Sequence, residues 1–204
     1  MASLLEARDL ACLRGGRLVF RDIGFALDPG DALVLRGPNG SGKSSLLRLL
    51  AGFLAPAGGE LCWSGEPVDA DRPAHRARVH YVGHAHGLKT ALTARENLSF
   101  AADLTGGALA ALGPALDTFD LGPLAEVPVR LLSAGQRRRL ALARLLAAPR
   151  PLWLLDEPGV GLDARSRGKL EATIEGHRAK GGLVALATHG DVAARDPLLL
   201  DLGP

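Results

Sequence analysis

The chain has 204 residues, 47% of them hydrophobic and only 4% aromatic, with 24 Lys and Arg against 22 Asp and Glu for a formal net charge of +2. That length is enough to bury one sizeable core, and the near balance of charge excludes a global field that would argue for nucleic acid or an acidic membrane surface. The apolar runs are broken by charge, Gly or Pro well before the ~18 residues of a membrane helix, and residues 1–9 lack the charged-then-apolar order of a secretory signal, so a cytosolic domain is expected.

Strand-like runs cover residues 4–11, 18–20 and 24–27, the last ahead of a Pro29-Gly30 turn. Cys12 and Cys62 stand alone, without metal spacing, and read as buried reduced thiols. Residues 31–36 read as a buried strand, and a helix is predicted over 44–51. Further strands are expected at 60–63 and 79–82. From residue 93 to 131 the composition shifts to Ala, Leu and Gly, with helical spacing broken at Gly113-Pro114 and Gly122-Pro123. This stretch reads as a small helical lobe inserted in the sheet domain. A helix is predicted over 136–147, and another over 164–178 between two strands, 151–155 and 183–187, whose unbroken apolar character suits a parallel sheet. There is no internal repeat. The fold class is therefore α/β: a single domain with an N-terminal antiparallel β part, a doubly wound core (1–92 and 132–204) and a helical subdomain (93–131).

Between the strand at 31–36 and the helix after it lies Gly37-Pro38-Asn39-Gly40-Ser41-Gly42-Lys43-Ser44, followed by Ser45. Its glycines let backbone N–H groups converge on phosphate oxygens at a helix N-terminus. Lys43 would reach the β- and γ-phosphates of ATP, and the Ser44 hydroxyl would ligate Mg²⁺. The alternative, a fortuitous glycine-rich turn, leaves Lys43, Ser44 and both flanking elements unexplained.

Asp156 and Glu157 follow the apolar run Leu152-Trp153-Leu154-Leu155, at the strand end where ligands of open α/β sheets gather. Asp156 would hold Mg²⁺ through water, and Glu157 would polarise the attacking water. A helix cap or surface turn before Pro158 is the plainer reading of the pair, and the upstream Lys43 tells against it. Ser133 can cap the helix near Gln136. A cap leaves Gly135 unexplained, and Ser133, Gly135 and the helix N-terminus together make a second anion site. One nucleotide needs only one phosphate loop, so the second site would serve the ATP of another copy of the chain.

These parts, with Gly161-Leu162-Asp163 and His189, occur in the order found in ABC-type ATPases, which the chain resembles over nearly its whole length. The resemblance implies a P-loop NTPase fold and a head-to-tail homodimer. Each ATP would lie between one phosphate loop and the partner's Ser133, Ala134, Gly135 and Gln136. It places Asp163 in the loop crossing the dimer and His189 as a sensor of the γ-phosphate. Three positions depart from the family pattern. His84 replaces a Gln beside Mg²⁺, Arg14 stands where an aromatic stacks on adenine, and Gly159 replaces a Thr-like residue, which would loosen residues 159–163.

Gly83-His84 with Leu88-Lys89-x-x-Leu92-Thr93-x-x-Glu96-Asn97-Leu98, and the run from Leu132 to Leu145, is similar to one branch: the ATP-binding subunits of haem exporters in bacterial cytochrome c maturation. That resemblance implies integral membrane partner subunits and a peripheral place on the cytoplasmic face of the inner membrane. The rival reading is a soluble ABC ATPase acting on nucleic acid or ribosomes, or an exporter of another cargo. Haem ligation by His80, His84 and His86 would need aromatic walls that this composition lacks, so His84 reads as a loop residue and the other two as surface histidines. Arg137-Arg138-Arg139 reads as a solvated helix face or a dimer contact, not as a nucleic-acid site.

Overall fold

The computed structural model describes residues 3–188 and 190–203; His189, expected to sense the γ-phosphate, lies outside them. In chain order the elements are strands β1 (Leu5–Arg14), β2 (Arg17–Leu27) and β3 (Ala32–Arg36), helix α1 (Lys43–Leu50), strands β4 (Gly58–Trp63) and β5 (Glu66–Pro67), helix α2 (Arg72–Arg76) and strand β6 (Val79–Val82). Helices α3 (Ala94–Thr105), α4 (Leu112–Thr118) and α5 (Ala134–Ala147) follow, then β7 (Leu152–Asp156), α6 (Ala164–Arg178), β8 (Leu183–Ala187) and β9 (Leu198–Asp201).

Two sheets form. One is antiparallel, in the order β2-β1-β4-β5; the other is wholly parallel, in the order β6-β7-β8-β3-β9. Every residue of β7 and β8 is buried, as their apolar runs require when both faces are covered. Alternation divides them between two layers. Trp153, Leu155, Val184 and Leu186 face the core shared with α5, α6 and the helices of residues 94–131. Leu152, Leu154, Leu183 and Ala185 face the core shared with α1 and the antiparallel sheet. The expected α/β P-loop fold is thus the one that forms, and among the described residues no helix is long and apolar enough to cross a membrane.

Local expectations fare unevenly. The strands at 79–82 and 183–187 and the helix at 164–178 have their predicted bounds. The N-terminal runs instead merge into two long paired strands; Asp9 and Asp22, at φ 47° and 57°, interrupt the alternation that would have revealed them. Gly113-Pro114 does not break a helix but lies in the first turn of α4, where proline's missing N–H has no intrahelical acceptor to lose. Strand β9, unread in the sequence, adds an edge beside β3, with Leu198 and Leu199 half exposed.

Candidate active site

Because the second sheet is parallel, β3, β6, β7 and β8 all end at one edge, and the segments that follow them converge there. A cavity of about 600 Å³ opens at this edge, lined by Asn39, Gly40, Gly42, Lys43, Ser44 and Ser45, with Arg14, Val19, His84 and Glu157. Residues from four separate stretches of chain thus meet in one space. Arg14, Pro38 and Ser41 also line an adjoining hollow beside the tip of the β1–β2 hairpin.

The phosphate loop is shaped by close approaches. Gly42 caps α1 at φ 104°, and a Cβ there would lie 2.6 Å from Val19 of β2. A Cβ on Gly37, at φ 134°, would run into the main-chain oxygen of Leu202. Lys43 is 6% exposed and its Nζ donates to the carbonyls of Gly37 at 2.7 Å and Pro38 at 3.0 Å. Its ammonium is thus folded over the main chain of its own loop.

Asp156 ends β7 at 2% exposure, and the Tyr81 hydroxyl donates to its Oδ2 at 3.3 Å. No sequence pattern marks Tyr81, whose ring lies so close against Gly83 that a Cβ there would sit 2.7 Å away. Next along, Glu157 adopts φ 50°, a left-handed conformation that costs a non-glycine residue of the order of 1–2 kcal/mol. In this conformation Glu157 lines the cavity, with Oε2 3.8 Å from His84 Nε2, while its N–H donates to Ala187 O at 2.8 Å.

Ser133, Gly135, Gln136 and Asp163 do not line that cavity. They border a smaller one of about 170 Å³, with Gly161 and Arg139. Ser133 and Gln136 form a reciprocal capping box on α5, with Ala134 as the first helical residue. Gly135 faces Gly161, whose carbonyl would lie 3.2 Å from a Cβ at residue 135, so a side chain there would be tightly placed. Asp163 caps α6 by accepting from Ser166 N at 2.7 Å, and that bond holds its carboxyl below the usual range.

Two expectations need correction. His80 is not a surface residue: β6 turns it inward, 9% exposed, and its Nε2 bonds the Ala148 carbonyl. Burial pushes its imidazole down to about 4 despite that bond. Nor is the whole arginine run a solvated face. Arg138 is 3% exposed and bonds four main-chain carbonyls, while Arg137 and Arg139 donate to Leu132 O and Phe119 O. Gly159, expected to loosen residues 159–163, sits in a hydrogen-bonded turn. Val160 N and Leu162 N close turns onto Glu157 O and Gly159 O, and the absent side chain makes room for the Asp191 carboxylate.

The sequence pattern of the ABC transporter family is matched over residues 20–160. A solved ATP-binding subunit of an ABC transporter superposes with a TM-score of 0.83 at 27% identity, covering 92% of this chain and 80% of that one. The fold is shared too with a putative ABC transporter ATP-binding protein from Pyrococcus furiosus, TM-score 0.84 at 24% identity, over 97% of this chain and 96% of that one. With the phosphate loop and the carboxylate pair gathered at one sheet edge, the chain belongs to the ABC transporter family, as an ATPase that binds ATP and couples its hydrolysis to transport. Within that class it is 52% identical, over 98% of its length and 86% of the relative's, to the cytochrome c biogenesis ATP-binding export protein CcmA of Rhodospirillum rubrum. It is 55% identical to the CcmA of Paramagnetospirillum magneticum over 93% of this chain and 89% of that one.

Proposed function

We propose that the chain is the ATP-hydrolysing subunit of an export complex in cytochrome c biogenesis, energising the delivery of haem across the membrane. The reading is carried by one observation: phosphate loop, Arg14, His84 and Glu157 line a single cavity in a chain about half identical to CcmA proteins.

Gly37 to Ser45 would hold the phosphates, and the guanidinium plane of Arg14 would stack on adenine. Lys43 would release Gly37 O and Pro38 O to pair with the β- and γ-phosphates. Glu157 takes the proton of the attacking water as its oxygen bonds to the γ-phosphorus. The bridging bond to the β-phosphate then breaks, leaving ADP and phosphate. His189 would sense the γ-phosphate. The donor set suits Mg²⁺: the Ser44 hydroxyl, Asp156 acting through water and His84 are few and mostly hard, and a nucleotide-bound Mg²⁺ takes its remaining oxygens from phosphate and water. Bound there, Mg²⁺ would neutralise charge on the phosphates.

Ser133, Ala134, Gly135, Gln136 and Asp163 are assigned to the partner's ATP in a two-fold homodimer. Residues 93–131 form the helical subdomain of the single domain and, with the His84 loop, carry the integral membrane subunits. The chain works peripherally at the cytoplasmic face of the inner membrane, touching the membrane through those subunits. No nucleic-acid role is proposed, since the arginines of residues 137–139 are used on the chain's own carbonyls. Co-purification tests the assignment. Recovery with membrane subunits whose presence raises ATP turnover supports it, and recovery with RNA alone would overturn it.

A further inference from the structure

Arg138 brings together two loops of the active site that are far apart in sequence. Its Nη1 donates to Gly83 O at 2.9 Å, next to His84. Its Nη2 donates to Asp156 O at 3.1 Å and to Glu157 O at 2.6 Å, and its Nε to Pro158 O at 3.1 Å. A guanidinium has five N–H donors in a rigid plane, so a buried one that spends four of them on main chain fixes the relative position of the segments it bonds. No acceptor here is a carboxylate. Asp156, Asp191 and Glu157 act on the charge only from a distance, and burial holds the guanidinium below its usual pKa. Removing such a group from water is costly, and packing could be achieved at less cost with an apolar residue. What an apolar residue could not do is hold Gly83 and Glu157 in one frame.

The frame is anchored on α5, the helix capped by Ser133. Arg138 lies five positions after Ser133, about 7.5 Å along a rigid helix. Any shift or tilt of the first turn of α5 is therefore felt at the main chain of Glu157, which already sits in a strained conformation.

We propose that Arg138 is a positioning residue for hydrolysis, fixing the main chain of Glu157 and of the His84 loop to α5 so that a nucleotide engaged at Ser133 sets the attitude of Glu157 in the same chain. This rests on the reading of Glu157 as the base and Ser133 as the half-site for the partner's ATP.

The test uses the full complex with its membrane subunits, assembled from two differently tagged copies of the chain. One copy carries Glu157→Gln, leaving a single working Glu157. Arg138→Lys, which keeps the charge but loses the fork, is placed either in the copy with the intact Glu157 or in the other. The expected result is a fall in kcat of about tenfold or more in the first placement, with KM for ATP within about twofold, and near-normal turnover in the second. Equal loss in both placements, or no loss in the first, overturns the proposal. Arg138→Gln repeats the comparison if the lysine variant does not fold, and loss of folding in both variants overturns the proposal in favour of a purely structural role. If complexes with Glu157→Gln in both copies still hydrolyse ATP, the base assignment fails instead, independently of Arg138.

Discussion

His84 Nε2 stands 3.8 Å from Glu157 Oε2, although the two residues lie on loops after different strands, β6 and β7. Both side chains line the cavity of the phosphate loop. The pairing separates two roles that mutation can resolve. Glu157→Gln keeps the shape and removes the proposed base, so turnover should fall by about 10²–10⁴-fold while ATP binding persists. His84→Gln keeps a polar neighbour and should lower kcat by less than about tenfold. Steady-state ATPase assays with a nucleotide-binding titration check both. Undiminished hydrolysis by Glu157→Gln would refute its role as base.

Ser133 serves α5 as an N-cap in the isolated chain and, by the dimer reading, touches ATP only in the partner's site. Ser133→Arg should therefore cost about 1 kcal/mol of stability through the lost cap and leave ATP binding to the isolated chain intact. It should block hydrolysis in the assembled dimer. A matching loss of affinity in the monomer would place Ser133 in the chain's own site and refute the dimer reading.

Gly159→Thr restores the residue type usual in the family and should prove harmful here. A Cβ at 159 would meet the Asp191 carboxylate, which accepts a hydrogen bond from Thr188, and would lie 2.7 Å from Val192. Overpacking of this kind costs about 1–3 kcal/mol, or several degrees of Tm. Asp191→Ala in the same chain should recover part of the loss. Purely additive Tm shifts in the double variant would show that the two residues do not collide.

His80 makes stability sensitive to acid. The unfolded chain takes up a proton on this residue near pH 6.5, whereas the folded chain refuses it until about pH 4. Unfolding thus binds a proton in that window, and stability is retained above pH 6.5 and lost progressively as pH falls towards 4. The difference is worth up to ~3 kcal/mol. His75 and His177, also lowered by burial, act in the same direction. Chemical denaturation from pH 7.5 to 4 should show a flatter profile for His80→Gln than for the parent chain; superimposable slopes would contradict the assignment.

What could be read from sequence is whatever short-range spacing dictates. The glycines and Lys43 of the phosphate loop, the apolar strand running into Asp156 and Glu157, the Ser133 cap and the bounds of α6 and β8 each depend on neighbours a few residues away. The α/β class followed from the same local signals. Tertiary structure alone decided which polar residues turn inward. Three consecutive arginines look equivalent along the chain, yet only Arg138 is buried, because its acceptors lie 55, 18, 19 and 20 residues away on Gly83, Asp156, Glu157 and Pro158. Tyr81 reaches Asp156 across 75 residues, and His80 reaches Ala148 across 68. A buried polar group must find a partner, and where the chain brings none nearby, the choice among identical side chains is made by the packing of distant strands.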